Sequence, residues 1–245
     1  MPFPLIPDNA FPPEPHAPCY CGSGTQYAKC CGARNSERPP FGIDVRENFL
    51  SADECGAMLA LISTKSYDPY KVRKPDGTIE PDPTRVCERV VFGDDQHVLD
   101  KLVRRAWQDV IVPSTGVEIE WFEEPQLLKY NVGGFYYYHT DNGYLVAKEN
   151  AWRKAVDRDL SLLIYLSGDF EGGDLHFNRL DWSLWPKAGM LAWFPSDMRF
   201  QHAARPVTSG TRYAIVSWAA AKNMERVQSS RTTRAIDWET GAKQP

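Results

Sequence analysis

Residues Leu160 to Phe177 read LSLLIYLSGDFEGGDLHF. Two apolar runs of strand length flank SGDFEGG, a turn signal, and neither run carries the three-and-four spacing of a helix face. The texture extends in both directions. From Glu118 onward VEIEWF, PQLLKY, FYYYHT, DLHFNRL, GMLAWF and RYAIVSWAA repeat it, bounded by VGG, KAG and TSG. Short strands at such intervals predict a β-sandwich or barrel. The exception is ENAWRKAVDRD, charged and at helical spacing, which predicts a helical insertion after the FYYYHT strand.

Upstream, the signals become helical. In SADECGAMLALIS, Ser51 caps the start, Glu54 completes a capping box, and Met58, Leu59 and Ile62 fall at helical spacing. In DDQHVLDKLVRRAWQDVI, Val98, Leu99, Leu102, Val103 and Ala106 form one apolar stripe. Between them KVRKPDGTIEPDPTR, with its PDG turn, reads as a polar hairpin or flexible loop. Prolines crowd residues 2–18 and return at Pro39 and Pro40. The expected organisation is therefore a leader with a small module over 1–40, a main domain over 41–222 and a peripheral polar tail over 223–245.

Bulk properties narrow the function. The 245-residue chain is 42% hydrophobic with a net charge of −4. This size supports a full core, and the charge argues against nucleic acid as the main partner. The start, MPFPLIPDNAFPPEPH, lacks a basic n-region and is broken by proline, so neither a signal peptide nor a membrane span is expected, and a cytoplasmic location is.

Of six cysteines, four lie between Cys19 and Cys31 in PCYCGSGTQYAKCCG, a C-x-C-x8-C-C pattern. Cys19, Cys21, Cys30 and Cys31 satisfy tetrahedral zinc, with the Gly22-Ser23-Gly24 turn doubling the chain back. The competing readings are cysteines without metal, or His16 replacing one thiolate. Cys55 and Cys87 stand apart.

A second metal site begins in YNVGGFYYYHTDNGY, residues 130–144. On a strand, His139 and Asp141 share a face about 6–7 Å apart. An oxygenase iron needs two imidazoles and a carboxylate on one side, so a further histidine is required. With His16 in the leader and His97 in a predicted helix, His176 and His202 remain. His202 is better placed, because the PVTSG turn after it brings Arg212 alongside, and a guanidinium fork suits the far carboxylate of a dicarboxylic cosubstrate. Regular alternation would put Tyr137 on the ligand face, with Tyr136 and Tyr138 opposite.

These motifs resemble two families. PCYCGSGTQYAKCCG resembles the SEC-C motif, known from the zinc-binding tail of the SecA translocation ATPase, which implies a zinc-bound element that docks protein partners. His139-x-Asp141, His202 and Arg212, from about Phe49 to Ala220, resemble the Fe(II)- and 2-oxoglutarate-dependent dioxygenases, with flanks similar to the prolyl 4-hydroxylase branch. Tyr130 and Gly133 fit that branch's Y-x-x-G-x-x-Y-x-x-H-x-D, LSLLIYL and Gly172-Gly173 fit its central block, and FPSDMRFQHAARPVTSGTRYAIVSW fits its ending.

The resemblance implies a mainly β fold with a double-stranded β-helix (jelly-roll) core, supporting N-terminal α-helices and the zinc module. It implies iron on His139, Asp141 and His202, and 2-oxoglutarate on Arg212, Tyr130 and Ser161. O2 is then the second cosubstrate, ascorbate a reductant, and Zn(II) structural. Residues 70–85 stand where the family has a mobile substrate lid. Arg85 resembles the arginine that follows it, although RVC replaces the usual R-T-S, and Arg85 and Tyr137 are candidate substrate contacts. The expected activity is hydroxylation of a C–H bond in a protein or peptide, with proline a candidate, releasing succinate and CO2. The alternatives are a small-molecule or free amino-acid oxygenase and a noncatalytic zinc-dependent protein-binding module.

Overall fold

A computed structural model describes residues 11–21, 23–33, 38–73 and 78–244. The first ten residues of the predicted leader, Gly22 of the cysteine loop and the tip of the PDG turn lie outside them. Two sheets face each other. The major sheet has nine strands, ordered Asp44–Arg46, Leu191–Pro195, Leu160–Tyr165, Arg212–Ala221, Gln126–Tyr130, Glu88–Val91 and Ser66–Pro69, with Ile119–Glu123 and Ala235–Asp237 extending it. The minor sheet runs Trp182–Leu184, Leu175–Phe177, His202–Ala204, Phe135–His139 and Arg85–Val86. This is the expected mainly β, jelly-roll architecture.

LSLLIY lacks alternation because both of its faces are buried: every residue from Leu160 to Tyr165 is inaccessible. Leu162 and Ile164 join Leu127 and Ile215 in a core shared with the helices, whereas Leu163 and Tyr165 join Leu128, Ala214 and Val216 in the core between the sheets. Strands covered on both faces read as continuous apolar runs. Register aligns Arg212 with Tyr130, Ala214 with Leu128 and Tyr165, and Val216 with Gln126 and Leu163.

The helices back the major sheet. Ala52–Ile62 carries the predicted capping box, with the Ser51 side chain accepting from the Glu54 N–H and the Glu54 side chain accepting from the Ser51 N–H. It buries Cys55, Met58 and Ile62. Each such aliphatic side chain contributes about 1.5–3 kcal/mol. The second helix, Gln96–Arg105, continues through a π turn at Ala106–Ile111 and ends at Gly116, whose φ is +68°.

Two predicted segments differ. ENAWRKAVDRD is not helical: Ala151–Lys154 pairs with Gly143–Val146 as a hairpin. Its charges are drawn to separate partners, Lys154 to Asp159 and Arg158 to Glu123, and Gly143 allows a backbone approach in which any β-carbon would lie 2.3 Å from the Arg153 carbonyl oxygen. The tail is not wholly peripheral either. Ala235–Asp237 adds an edge strand to Ile119–Glu123 and buries Ala235 and Ile236, while Arg226 and Arg231 both bond Glu120. The PDG segment is a hairpin, Lys71–Arg73 against Ile79–Pro81. No helix among the described residues is long and apolar enough to cross a membrane.

Candidate metal and cosubstrate sites

Four thiols converge in the N-terminal module. The sulfurs of Cys19, Cys21, Cys30 and Cys31 lie within 4.8 Å of one another, and His16 is not among them. Local backbone bonds build the cluster: Cys19 N–H donates to Thr25 O, Tyr27 N–H to Ala17 O, and a 3-10 turn at Tyr27–Lys29 returns the second pair. Zn–S bonds of about 2.3 Å in a tetrahedron place sulfurs roughly 3.8 Å apart, so the cluster fits zinc. The Ser23 hydroxyl draws the Cys21 thiol down to about 6, toward the thiolate that metal binding needs. Phe11 anchors the module, packing at a tilt against Phe200 at 5.3 Å while Arg179 bonds its carbonyl.

The second cluster lies between the sheets. Strand pairing sets His139 opposite His202, and one ligand atom from each, with one from Asp141, fall within 4.8 Å of one another. His139 Nδ1 donates to Tyr137 O at 2.8 Å and His202 Nδ1 to Phe200 O at 2.9 Å. A carbonyl only accepts, so both imidazoles carry a proton on Nδ1 and turn Nε2 toward the cluster. Those atoms face Asp141 at 3.6 and 3.7 Å. Burial pushes the Asp141 carboxyl up, but the opposing His202 and His139 rings and the Ser161 hydroxyl outweigh it and hold it well below the carboxylate range. Burial, reinforced by His139, lowers His202 to about 4 and keeps it neutral. Two imidazoles with Nε2 turned inward and one carboxylate on one side fit non-haem Fe(II).

From this cluster a cavity of about 120 Å³ extends across the inner face of the major sheet. Arg212, Ala214, Val216 and Trp218 line it at period two, as do Gln126, Leu128 and Tyr130. Arg212 is 2% exposed, its Cζ sits 4.0 Å over the Tyr130 ring, and its Nη1 donates to Gly173 O at 2.7 Å. Its Nε has no partner. The Gly172-Gly173 motif explains the carbonyl: both glycines have positive φ, and a β-carbon on Gly172 would lie 2.4 Å from Pro206 O. Tyr165 brings a second unpartnered buried group, its hydroxyl, near Arg212 and Tyr130. A buried cation with an open donor, Arg212 Nε, on the wall of a cavity suits a carboxylate.

The other predicted residues divide. Ser161 lines the cavity, but its hydroxyl is engaged, donating to Asp141 Oδ2 at 2.6 Å and sharing a bond with Ser196. Arg85 is buried, bonded to Cys87 Sγ and flanked by the Tyr70 and Tyr136 rings at 3.6 and 4.3 Å. Tyr137 does not line the cavity and is 62% exposed. A bulge explains the exchange: three residues separate Tyr136 from His139 where their partners Ala204 and His202 are two apart, so alternation slips and Tyr136 stacks on His139 at 3.6 Å. His176 lies outside the site, bonded to the Tyr138 hydroxyl. Sequence reading missed Tyr136 as a wall, Trp218, and Arg158, which is held by Glu123, stacks on Trp218 at 3.8 Å and donates to the Asp141 carbonyl. Counting by two from Arg212 would have found Trp218. No local signal marked Arg158.

This fold and donor set resemble those of prolyl-hydroxylase-like 2-oxoglutarate–Fe(II) oxygenases, and the cysteine module resembles an SEC-C motif. Residues 125–220 match the family model of the 2OG-Fe(II) oxygenase superfamily, and residues 17–33 match the SEC-C motif. Among curated relatives, human prolyl 3-hydroxylase 2 is 31% identical over 118 residues, covering 43% of this chain and 17% of that protein. Prolyl 4-hydroxylase subunit alpha-2 of Caenorhabditis elegans is 31% identical over 189 residues, 73% of this chain and 34% of the relative. Thus the chain spans a minor part of both relatives. In fold it resembles the viral collagen prolyl hydroxylase of Paramecium bursaria Chlorella virus-1 (TM-score 0.51, 22% identity, 74% of this chain and 97% of the other). It also resembles a Trichoplax adhaerens prolyl hydroxylase solved with a hypoxia inducible factor peptide (TM-score 0.56, 20% identity, 78% and 88%).

Proposed function

We propose that this chain is an Fe(II)- and 2-oxoglutarate-dependent hydroxylase acting on a C–H bond of a protein or peptide, a prolyl residue first among candidates, with release of succinate and CO2. The observation that carries this reading is the joint placement of His139, Asp141 and His202 at one part of a cavity that also holds Arg212, buried and with an open donor. Bound iron supplies chelation of the 2-oxo acid and activation of O2.

The chain's own residues do the positioning. Arg212, with Tyr130 beneath it and Tyr165 beside it, receives the distal carboxylate. Ser161 orients Asp141 by its hydrogen bond and so serves the iron ligand more than the cosubstrate. Tyr136, Trp218 and Tyr70 line the cavity, which suits a compact apolar side chain such as a pyrrolidine. The names of the relatives, prolyl hydroxylases throughout, and the peptide in the Trichoplax structure support a peptide substrate.

Residues 1–40 form the zinc module in this reading, residues 41–222 the oxygenase domain, and the remaining residues a tail strapped back by Arg226 and Arg231. The zinc module recruits a macromolecular partner. Free thiols at Cys55 and Cys87 favour a reducing compartment such as the cytoplasm. To test the substrate class, cell extract is incubated with Fe(II), 2-oxoglutarate and ascorbate, and peptides are searched for an O-atom gain made by wild type and not by His139→Ala. Modified prolyl peptides are expected. A product found only among small metabolites contradicts the peptide reading.

A further inference from the structure

The two histidines of the metal cluster are held differently. The His202 ring is packed by core aromatics, with Phe194 at 4.9 Å and Phe177 at 5.7 Å, and its side chain is 5% exposed. The His139 side chain is 17% exposed. Its Nδ1 bond fixes the tautomer but still permits rocking about that bond, so the ring plane depends on what lies against its face. Tyr136 lies flat against that face at 3.6 Å and 19° from parallel, while the His202 ring meets His139 edge-on at 4.4 Å.

Tyr136 is itself backed. The Arg85 guanidinium lies over its ring at 4.3 Å, and Tyr70 covers Arg85 at 3.6 Å. The backbone aligns these groups: Arg85 and Tyr136 are register partners on adjacent strands, and the Tyr70 N–H donates to Cys87 O at 2.9 Å. Arg85 Nε bonds Cys87 Sγ at 3.3 Å, which turns the flat face of the guanidinium to both rings. The result is one continuous column, His139–Tyr136–Arg85–Tyr70. A desolvated cation between two aromatic faces is attracted to both, and only a planar cation such as guanidinium fills such a slot.

We infer that Arg85 and Tyr70 are positioning residues for the metal site, holding the His139 imidazole in its ligating plane through Tyr136. The inference rests on the proposed iron site. It gives Arg85, which also lines the cavity, a role beyond any contact with substrate, since both faces of its guanidinium are occupied within the protein.

Co(II) serves as an oxygen-stable probe for Fe(II), with the cysteine cluster preloaded with one equivalent of Zn(II). Affinity and the visible absorption bands of bound cobalt are measured for wild type, Arg85→Met, Tyr70→Ala and Tyr70→Phe, with circular dichroism melts as a check of folding. Arg85→Met and Tyr70→Ala are expected to weaken cobalt about tenfold, the scale of losses on removing groups that orient a ligand, and to shift its bands. Tyr70→Phe, which keeps the ring, is expected to stay within about twofold of wild type on the same scale. Should Arg85→Met fail to fold, the half-buried Tyr70 pair carries the comparison. Wild-type cobalt affinity and bands in a folded Tyr70→Ala overturn the inference while leaving the iron site intact. If wild type binds no cobalt, or His139→Ala binds it equally well, the underlying iron-site reading fails instead.

Discussion

Replacing Arg212 by leucine isolates the cosubstrate anchor. The guanidinium is 2% exposed, spends one donor on Gly173 O and leaves Nε unpartnered. Removing one partner of a buried charge pair costs about 2–5 kcal/mol. At about 1.4 kcal/mol per tenfold, the affinity for 2-oxoglutarate should fall roughly 30- to 4,000-fold. Thermal melting in Mn(II) reads this without turnover. Ligand at about 100 times its dissociation constant stabilises wild type by roughly 2.7 kcal/mol, or about 5–11 °C for a domain of this size. At the same concentration the variant gains no more than about 0.8 kcal/mol, near 2 °C. The melting temperature without 2-oxoglutarate should hold or rise, because an unpaired buried charge is costly. A variant that keeps the full ligand-induced shift refutes the assignment of Arg212.

Three further outcomes are expected. Ser161→Ala should weaken metal binding about tenfold while changing 2-oxoglutarate affinity much less, measured by titrating each separately; the reverse order returns Ser161 to the cosubstrate. Arg226 and Arg231 hold the Glu120 carboxyl below its usual 4.5, so the clamp is fully present above that pH and is lost as pH falls through the lowered value. Glu120→Gln should therefore be destabilised by no more than about 1 kcal/mol near neutrality, and the stability difference between the two proteins should vanish as acid protonates Glu120 below the ordinary carboxylate range. Elemental analysis should find one zinc per chain in wild type and none in Cys21→Ser, which should still bind metal at His139, Asp141 and His202.

Legibility followed locality. The pair His139 and Asp141, the four cysteines and the Ser51 capping box are set by spacings within one or two turns, and each stands where its pattern placed it. Arg212 was legible by its residue type, but the predicted turn is itself a strand, Val207–Ser209, which pairs with Glu171–Gly172 and carries the chain from the minor sheet of His202 to the major sheet of Arg212. Tyr136 was not legible, since the bulge that turns it onto His139 arises from pairing with His202–Ala204 and leaves no mark in FYYYH. ENAWRKAVDRD misled because charges pair inside it, Arg153 with Glu149 and Lys154 with Asp159, and the first pair also suits a helix, whereas Arg158 reaches out to Glu123 and Ala151–Lys154 pairs with Gly143–Val146. Ser161 occupies the expected place, yet its hydroxyl bonds Asp141 twenty residues away, a contact that only the closed sheet creates. Polar composition concealed the strand Ala235–Asp237, whose few apolar residues are the buried ones.

The central claim is most directly tested by succinate formation. Purified chain with Fe(II), ascorbate, O2 and labelled 2-oxoglutarate should release succinate and CO2 in equal amounts, accelerated by a prolyl peptide and abolished in His139→Ala and His202→Ala. Succinate at the same rate in wild type and both variants, or none above background in wild type with extract present, contradicts the account.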